Sequence, residues 1–149
     1  MTNMQAAIGL IQLNHVNDWV AKRNDNAAKI INALSASPLF RVPVPGNDIY
    51  HAYYKLYAFV SEDALADGWN RDRIISEIVN FGVPCFSGTC PEVYLEGSFA
   101  GSDYVPDQRL PVAKSLGETS LMFLVHPTLS DAEIEKTCRI ISEVSSMRN

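Results

Sequence analysis

The first 35 residues of this chain carry an almost unbroken helical pattern that starts at the second residue. Thr2 and Gln5 fit a capping box, in which the Thr side chain accepts from the N3 amide and the Gln side chain reaches back to the cap. Apolar side chains then recur at helical spacing as far as Leu34, and Pro38 ends the helix before it. The sequence therefore predicts a single helix over residues 2–35.

A helix of this length limits what the remaining residues can fold into. At about 1.5 Å per residue it would extend roughly 50 Å, which exceeds the diameter of a small domain. Part of the helix must then contact a second copy of the chain or a segment outside these 149 residues. Because the helix signal starts so abruptly, we expect a piece of a larger protein whose exposed apolar helix self-associates.

The composition excludes several classes of protein. Hydrophobic residues make up 47% of the chain and charged residues 19%, which indicates one folded domain rather than a disordered chain. The net charge of −5 and the scattered Lys and Arg residues argue against a nucleic-acid partner. No apolar run is long enough to cross a membrane, and the N-terminal residues lack the basic region expected of a signal peptide. Three cysteines without a disulfide spacing favour reduced thiols and a cytoplasmic location.

Short strands and helices alternate after the first helix. Prolines confine the first strand to an edge, whereas the aromatic and β-branched second strand is apolar on both faces and therefore central. Gly82 and Gly117 are predicted to end the two helices that precede them. In chain order the predicted elements are an edge strand or connector at 39–45, a strand at 50–60, a helix at 71–81, an edge strand at 83–86, a helix at 110–116, a strand at 119–125 and a final helix opened by a capping box at 130–133.

This order of elements predicts an α+β fold. A long N-terminal helix is followed by a small, mostly antiparallel sheet with helices packed on one side. Residues 87–109 are the least regular part of the sequence, with several glycines and prolines. A loop of that length in a compact domain is usually functional or mobile.

Cysteine and histidine supply two hypotheses about chemistry. Cys85 and Cys90 could provide two ligands of a metal site, although a structural zinc site needs about four ligands. Alternatively, Cys90 could act as a nucleophile with His51 as its base. The sequence fixes the geometry of neither arrangement, so neither is the favoured interpretation. Turn chemistry with a packed Phe86 is the structural alternative for this loop.

Aromatic residues cluster in the predicted central strand. Such side chains can stack nucleic-acid bases, but basic residues are not interleaved among them in the sequence, so core packing is the favoured interpretation. The cluster consists of Tyr50, Tyr53, Tyr54, Tyr57 and Phe59. We find no phosphate loop, dinucleotide-binding glycine pattern, paired-carboxylate motif or nucleophile elbow.

Four segments taken together resemble one known family. Residues 1–13 follow the pattern hydrophobic-Ser/Thr-x-x-Gln-Ala-Ala-x-Gly-x-x-Gln-Leu, and residues 51–55 read His-Ala-Tyr-Tyr-Lys. Residues 82–84 read Gly-Val-Pro, and residues 110–130 hold a short helix, a strand and the start of the last helix. These segments resemble the C-terminal part of the DegT/StrS group of pyridoxal-phosphate-dependent sugar aminotransferases.

The resemblance implies where the chemistry lies. In that family a large N-terminal domain provides the Schiff-base lysine, the partner of the pyridine nitrogen and the phosphate contacts, and none of these has a counterpart here. We therefore expect residues 1–37 to link to a missing large domain and to form a homodimer interface, and residues 38–149 to form the small domain. The chain alone should bind no pyridoxal phosphate or metal and should be inactive, since transamination needs the cofactor as electron sink.

The resemblance also implies a substrate-side wall for a keto-sugar nucleotide in amino-sugar biosynthesis. Its candidate residues are His51, Cys85, Phe86, Ser87, Thr89 and Cys90. No catalytic residue is assigned to this chain. The alternatives are a small-ligand-binding or regulatory α+β module without catalysis, and a free-standing thiol or metal enzyme.

Overall fold

The computed structural model describes residues 1–88 and 90–147 and confirms the predicted α+β class. The chain forms five α-helices and a four-stranded antiparallel sheet. The helices are α1 (Asn3–Leu13), α2 (Val16–Ser35), α3 (Arg71–Asn80), α4 (Pro111–Thr119) and α5 (Asp131–Ser146). The strands are β1 (Phe40–Arg41), β2 (Leu56–Val60), β3 (Cys85–Phe86) and β4 (Ser120–Phe123). Within the described residues, no helix has the length and apolar character that a membrane crossing requires.

The predicted single N-terminal helix is in fact two helices. The amides of Asn14 and His15 donate to carbonyls three residues earlier, at 3.2 Å to Ile11 and 3.0 Å to Gln12. Bonds of this kind tighten a helix end, and neither Asn nor His is a strong helix former. The helical pattern resumes when the amide of Trp19 donates to the carbonyl of His15 at 3.0 Å. The 50 Å rod is therefore interrupted after Leu13.

Both predicted capping boxes are confirmed. Thr2 Oγ1 accepts from the amide of Gln5 at 3.3 Å, and Gln5 Oε1 accepts from the amide of Thr2 at 2.8 Å. The same pair of bonds joins Ser130 and Glu133 at the start of α5, at 3.3 Å and 2.8 Å. Each box satisfies two amides that have no partner within their helix.

The strands run in the order β1-β2-β4-β3, and every neighbouring pair is antiparallel. The predicted edge strands are confirmed, because β1 and β3 lie at the two edges. The second strand is shorter than predicted: β2 begins at Leu56 rather than at residue 50. Tyr53 has a φ of 40°, which breaks an extended strand before Leu56.

The expected stop at Gly117 is wrong, because α4 continues to Thr119. A side chain at Gly117 would place its Cβ 2.3 Å from Cγ of Pro91. Glycine at this position therefore permits the close approach of the irregular segment to α4 and does not mark a helix end.

The core lies between one face of the sheet and the helices α2, α3 and α5. Residues of β2 alternate between buried and half-buried, with Leu56, Ala58 and Val60 facing the core. In α5, Ile134, Ile141 and Val144 are buried, and α5 contacts both α2 and α3. The second face of the sheet carries the half-buried Tyr57 and Phe59 and the buried Met122, so it is covered in part.

Two phenylalanines in this sheet allow a matched stability test. Phe123 on β4 is fully buried, whereas Phe86 on the edge strand is 47% exposed. We expect Phe123→Ala to lower the free energy of unfolding by about 3–5 kcal/mol, because the lost contacts leave a cavity. Phe86→Ala should cost much less. Urea denaturation measures both, and equal losses would contradict the assignment of the core to the α2–α5 face.

Candidate functional site

The predicted site residues divide between two places on the sheet. Cys85 and Phe86 form β3, and Ser87 and Cys90 lie in the segment that follows. His51 precedes β2, which is separated from β3 by β4. Thr89 lies outside the described residues. No hydrogen bond or ring contact within 1–88 and 90–147 connects His51 with the Cys85–Cys90 segment. The predicted site residues therefore lie in two regions of the fold.

Neither cysteine of the segment is an activated thiol. Burial raises the pKa of Cys85 to about 12, and its side chain is nearly inaccessible. Cys90 is exposed, and its thiol donates to Glu96 Oε1 at 2.8 Å, which raises the pKa of Cys90 because the thiolate would lose that bond. A nucleophilic cysteine requires a lowered pKa, so the geometry argues against the Cys90–His51 pair. Across the described part of the chain, no three His, Cys, Asp or Glu side chains are placed to hold a metal ion.

The segment after β3 is seated tightly on the second face of the sheet. The amide of Gly88 donates to Ser120 Oγ at 3.1 Å. A Cβ at Gly88 would lie 2.8 Å from that oxygen and 3.3 Å from Cε1 of Tyr57. Only glycine allows this contact without displacement of the segment, so Gly88 determines how closely it covers the face.

An ion cluster that the sequence analysis missed fixes the irregular segment farther along. Glu92 is buried, and its carboxylate accepts two hydrogen bonds from Arg109, one of them from Nε at 2.9 Å. The Tyr94 hydroxyl donates to the same carboxylate at 2.6 Å and accepts from the amide of Leu110 at 2.9 Å. Glu118 on α4 lies 3.5 Å from Arg109. The cluster therefore joins the start of the segment to its end and to α4.

The cluster changes the acidity of Glu92. The Arg109 guanidinium, followed by the Tyr94 hydroxyl, lowers the pKa of Glu92 to about 2. Arg109 follows Glu92 by 17 positions, and neither belongs to a recognisable motif. The sequence alone does not predict this pairing. A single Glu and a single Arg at that separation form no motif.

The region of His51 is built by contacts with α2. Asn24 Nδ2 donates to the carbonyl of His51 at 2.9 Å and to that of Val20 at 2.8 Å. His51 Nδ1 accepts from the amide of Tyr53 at 3.1 Å, and the two rings meet edge to face with centroids 4.3 Å apart. Because Nδ1 accepts, the proton of a neutral His51 is on Nε2. The positive φ of Tyr53 is maintained by these contacts.

The interpretation of the aromatic cluster as core packing is wrong for two of its members. Tyr53 is buried, and Tyr57 and Phe59 are half-buried. Tyr50 and Tyr54, however, are 76% and 75% exposed. Both lie before Leu56, where β2 begins, so they do not alternate between the faces of the sheet.

Comparisons with known proteins agree with this fold. The model of the DegT/DnrJ/EryC1/StrS aminotransferase family matches residues 1–142. The dTDP-3-amino-3,4,6-trideoxy-alpha-D-glucose transaminase of Streptomyces venezuelae is 26% identical over 144 residues, which are 97% of this chain and 35% of that protein. The GDP-perosamine synthase of Escherichia coli O157:H7 is 23% identical over 146 residues, 98% of this chain and 37% of that protein.

A solved structure shows a closer likeness. The aminotransferase from Psychrobacter cryohalolentis superposes with a TM-score of 0.94 at 50% identity. The match covers 99% of this chain and 40% of that one. The chain therefore spans between about a third and two fifths of the length of these relatives.

The Glu92 cluster yields a prediction about pH. Because the pKa of Glu92 is lowered from 4.5 to about 2 in the folded chain, its stabilising effect is complete above pH 4.5 and is lost as the pH falls toward 2. We expect Glu92→Gln to be less stable than the wild type at neutral pH, with the difference disappearing near pH 2. Thermal unfolding across this pH range measures it.

The exposed Glu135 provides the control for that measurement, because its side chain forms no hydrogen bond or ion pair among the described residues. Glu135→Gln should leave the pH dependence of unfolding unchanged. A Glu92→Gln variant whose stability runs parallel to that of the wild type down to pH 2 would show that the cluster does not hold the segment.

Proposed function

The chain belongs to the DegT/DnrJ/EryC1/StrS aminotransferase family, and from this we propose that it is the C-terminal part of a pyridoxal-phosphate-dependent aminotransferase. Its substrate would be a keto-sugar nucleotide in amino-sugar biosynthesis. The observation that carries the proposal is the match over residues 1–142 combined with a TM-score of 0.94 to an aminotransferase. Curated relatives named for dTDP- and GDP-linked sugars support the substrate class.

The lysines of this chain do not fit a cofactor site. A Schiff-base lysine must have a lowered pKa, which needs burial or a neighbouring cation. Lys22 and Lys29 instead form ion pairs with Asp131 at 3.0 Å and 3.1 Å, and Lys29 also pairs with Asp25 at 3.0 Å. The bonds to Asp25 and then to Asp131 raise the pKa of Lys29. Lys136 donates to the carbonyl of Gly82, Lys114 is exposed, and Lys55 lies beside the ring of Tyr54. We therefore place pyridoxal phosphate and the transfer chemistry in a separate large domain.

This chain would contribute a wall of the sugar site and a contact surface. The wall consists of the Cys85–Cys90 segment, which Gly88 seats on the sheet, together with His51 at the adjoining region. Neither region offers an activated nucleophile, so both would shape the substrate pocket and do no covalent chemistry. The large domain would lie against the second face of the sheet, which the chain covers only in part.

Helix α1 would provide the contact surface. None of its residues is buried, and its apolar side chains are exposed over the whole helix. Large exposed apolar patches usually mark interaction sites. We propose that residues 1–37 connect to the large domain and take part in a homodimer. The exposed apolar residues of α1 are Met4, Ile8, Leu10, Ile11 and Leu13.

A chimera tests the proposed function. This chain would replace the matching 40% of the Psychrobacter cryohalolentis aminotransferase, with which it is 50% identical. We expect the purified chimera to transfer an amino group from glutamate to a keto-sugar nucleotide, and the 149-residue chain alone to form no product. Mass spectrometry of the sugar nucleotide reports both. Amino-sugar formation by the chain alone, or a folded chimera that binds pyridoxal phosphate yet is inactive, would overturn the proposal.

Two glycines test the wall separately from the chemistry. In the chimera, Gly88→Ala introduces a Cβ 2.8 Å from Ser120 Oγ, so the segment must move away from the sheet. We expect the KM for the sugar nucleotide to rise several-fold with a smaller change in kcat, because a binding surface is displaced. Gly97→Ala is the matched control, since its Cβ meets no atom within 4 Å. Equal KM values for the two variants would remove the segment from the site.

A further inference from the structure

A cavity of about 200 Å³ opens where the chain enters β3, beside the end of β4 and the first turns of α5. None of the candidate residues of the sugar site contributes to its lining. Sites for drug-sized ligands occupy roughly 300–1,000 Å³. This smaller cavity therefore suits an occupant the size of a single amino acid.

One side of the cavity is apolar. Val83, Pro84, Leu124 and Leu129 line it. Val83 is buried in the hydrophobic core, whereas Leu124 is 36% exposed. An aliphatic group placed here would remove the exposed part of Leu124 from water, which is favourable.

Two opposite charges, Glu133 and Lys136, lie on the other side of the cavity. They are three positions apart on α5, where side chains are neighbours on the helix surface and commonly pair. Across the described residues, these two form no ion pair with each other, because each contacts a different neighbour. Glu133 Oε2 accepts from the amide of Ser130 at 2.8 Å and from its hydroxyl at 2.7 Å. Lys136 Nζ donates to the carbonyl of Gly82 at 3.1 Å.

Both ions keep unused hydrogen-bonding capacity. An ammonium has three donors, and within 1–88 and 90–147 Lys136 uses one of them. In the same residues, Glu133 Oε1 accepts no hydrogen bond, since both bonds from Ser130 end on Oε2. The hydroxyl and then the amide of Ser130 lower the pKa of Glu133, so its carboxylate is ionised at neutral pH. Each ion can therefore bind a further group of opposite charge.

The turn at Gly82 determines where the ammonium lies. Gly82 has a φ of 73°, and a Cβ there would lie 3.0 Å from Lys136 Nζ. Glycine is favoured both by this backbone angle and by the close approach of the ammonium. The ammonium is thereby held toward the turn that precedes β3, while Ser130 holds the Glu133 carboxylate toward the start of α5.

We propose that this cavity binds a free amino acid with a branched aliphatic side chain, such as leucine. The carboxylate of the amino acid pairs with Lys136, its ammonium pairs with Glu133, and its side chain lies against Val83 and Leu124. A free amino acid carries both charges on one carbon beside the aliphatic group, whereas an aliphatic acid or amine leaves one of the two ions unpaired. The inference goes beyond the proposed function and does not depend on it.

Calorimetric titration of the 149-residue chain tests the site, with L-leucine, 4-methylpentanoate and 3-methylbutylamine as probes. The first analogue lacks the ammonium and the second lacks the carboxylate. We expect saturable binding of leucine and about tenfold weaker binding of each analogue, because each loses one charged hydrogen bond. L-Glutamate should bind more weakly than leucine, since its second carboxylate would face the apolar side of the cavity. This distinguishes the site from one for the amino donor.

Two substitutions remove one charge each. Lys136→Met keeps a long side chain without the ammonium, and Glu133→Gln keeps a residue that completes the capping box. We expect each to weaken leucine binding about tenfold. The matched controls are Lys114→Met on α4 and Glu135→Gln on α5, because both residues are exposed and lie outside the cavity. Both controls should bind leucine as the wild type does.

A third variant, Thr137→Phe, places a large ring in the lining of the cavity and should abolish leucine binding. A melting curve identifies any variant that fails to fold, and Thr137→Phe replaces Lys136→Met if that variant does not fold. The site would be overturned by no saturable heat with leucine, by an analogue that binds as tightly as leucine, or by wild-type affinity in Lys136→Met or Thr137→Phe. An inactive chimera would contradict the proposed function and leave leucine binding by this chain unaffected.

Discussion

The central position of β4 is the constraint on which the rest of the structure depends. Its four residues are all buried, and it pairs with β2 on one side and β3 on the other. Leu121 and Phe123 face the helical core, while Ser120 and Met122 lie on the second face. One face of the strand therefore contacts the hydrophobic core, and Ser120 on its other face contacts Gly88. Loss of β4 would disrupt both the hydrophobic core and the contact of Gly88 with the sheet. The stability of the fold and the geometry of the candidate site therefore depend on the same strand.

Two kinds of polar contact then attach the irregular parts to this sheet. The Glu92 cluster fixes the segment between β3 and α4 through a buried, fully hydrogen-bonded carboxylate. The Asn24–His51–Tyr53 contacts attach the turn before β2 to α2. Buried polar groups are costly unless they are satisfied, so a satisfied network selects one arrangement of a loop. The buried carboxylate of Glu92 is held in this way.

Much of the fold could be predicted because local signals decide it. The capping residues Thr2 and Ser130, the cap of α3 at Asn70 and the prolines around β1 act within a few residues of the chain. A capping residue forms a hydrogen bond with a nearby backbone amide, and a proline cannot donate one. The errors arose where a distant contact decides the outcome. Gly117 is required because Pro91 packs against α4 at this position. The pairing of Glu92 with Arg109 spans a loop whose sequence has no helical or strand periodicity.

The aromatic run shows how one backbone angle can change which side chains a fold buries. Read as a continuous strand, residues 50–60 alternate between two apolar faces, and all the rings belong in a core. Once Tyr53 adopts a positive φ, the alternation starts only at Leu56, and the rings before it are released from the sheet. Tyr50 and Tyr54 then lie in solvent, and α2 places Arg23 beside the ring of Tyr54. Sequence periodicity cannot reveal this, because the turn is stabilised by Asn24, twenty-nine residues before Tyr53 and on another element. Two residues that a continuous strand would place in the core, Tyr50 and Tyr54, are therefore part of the surface.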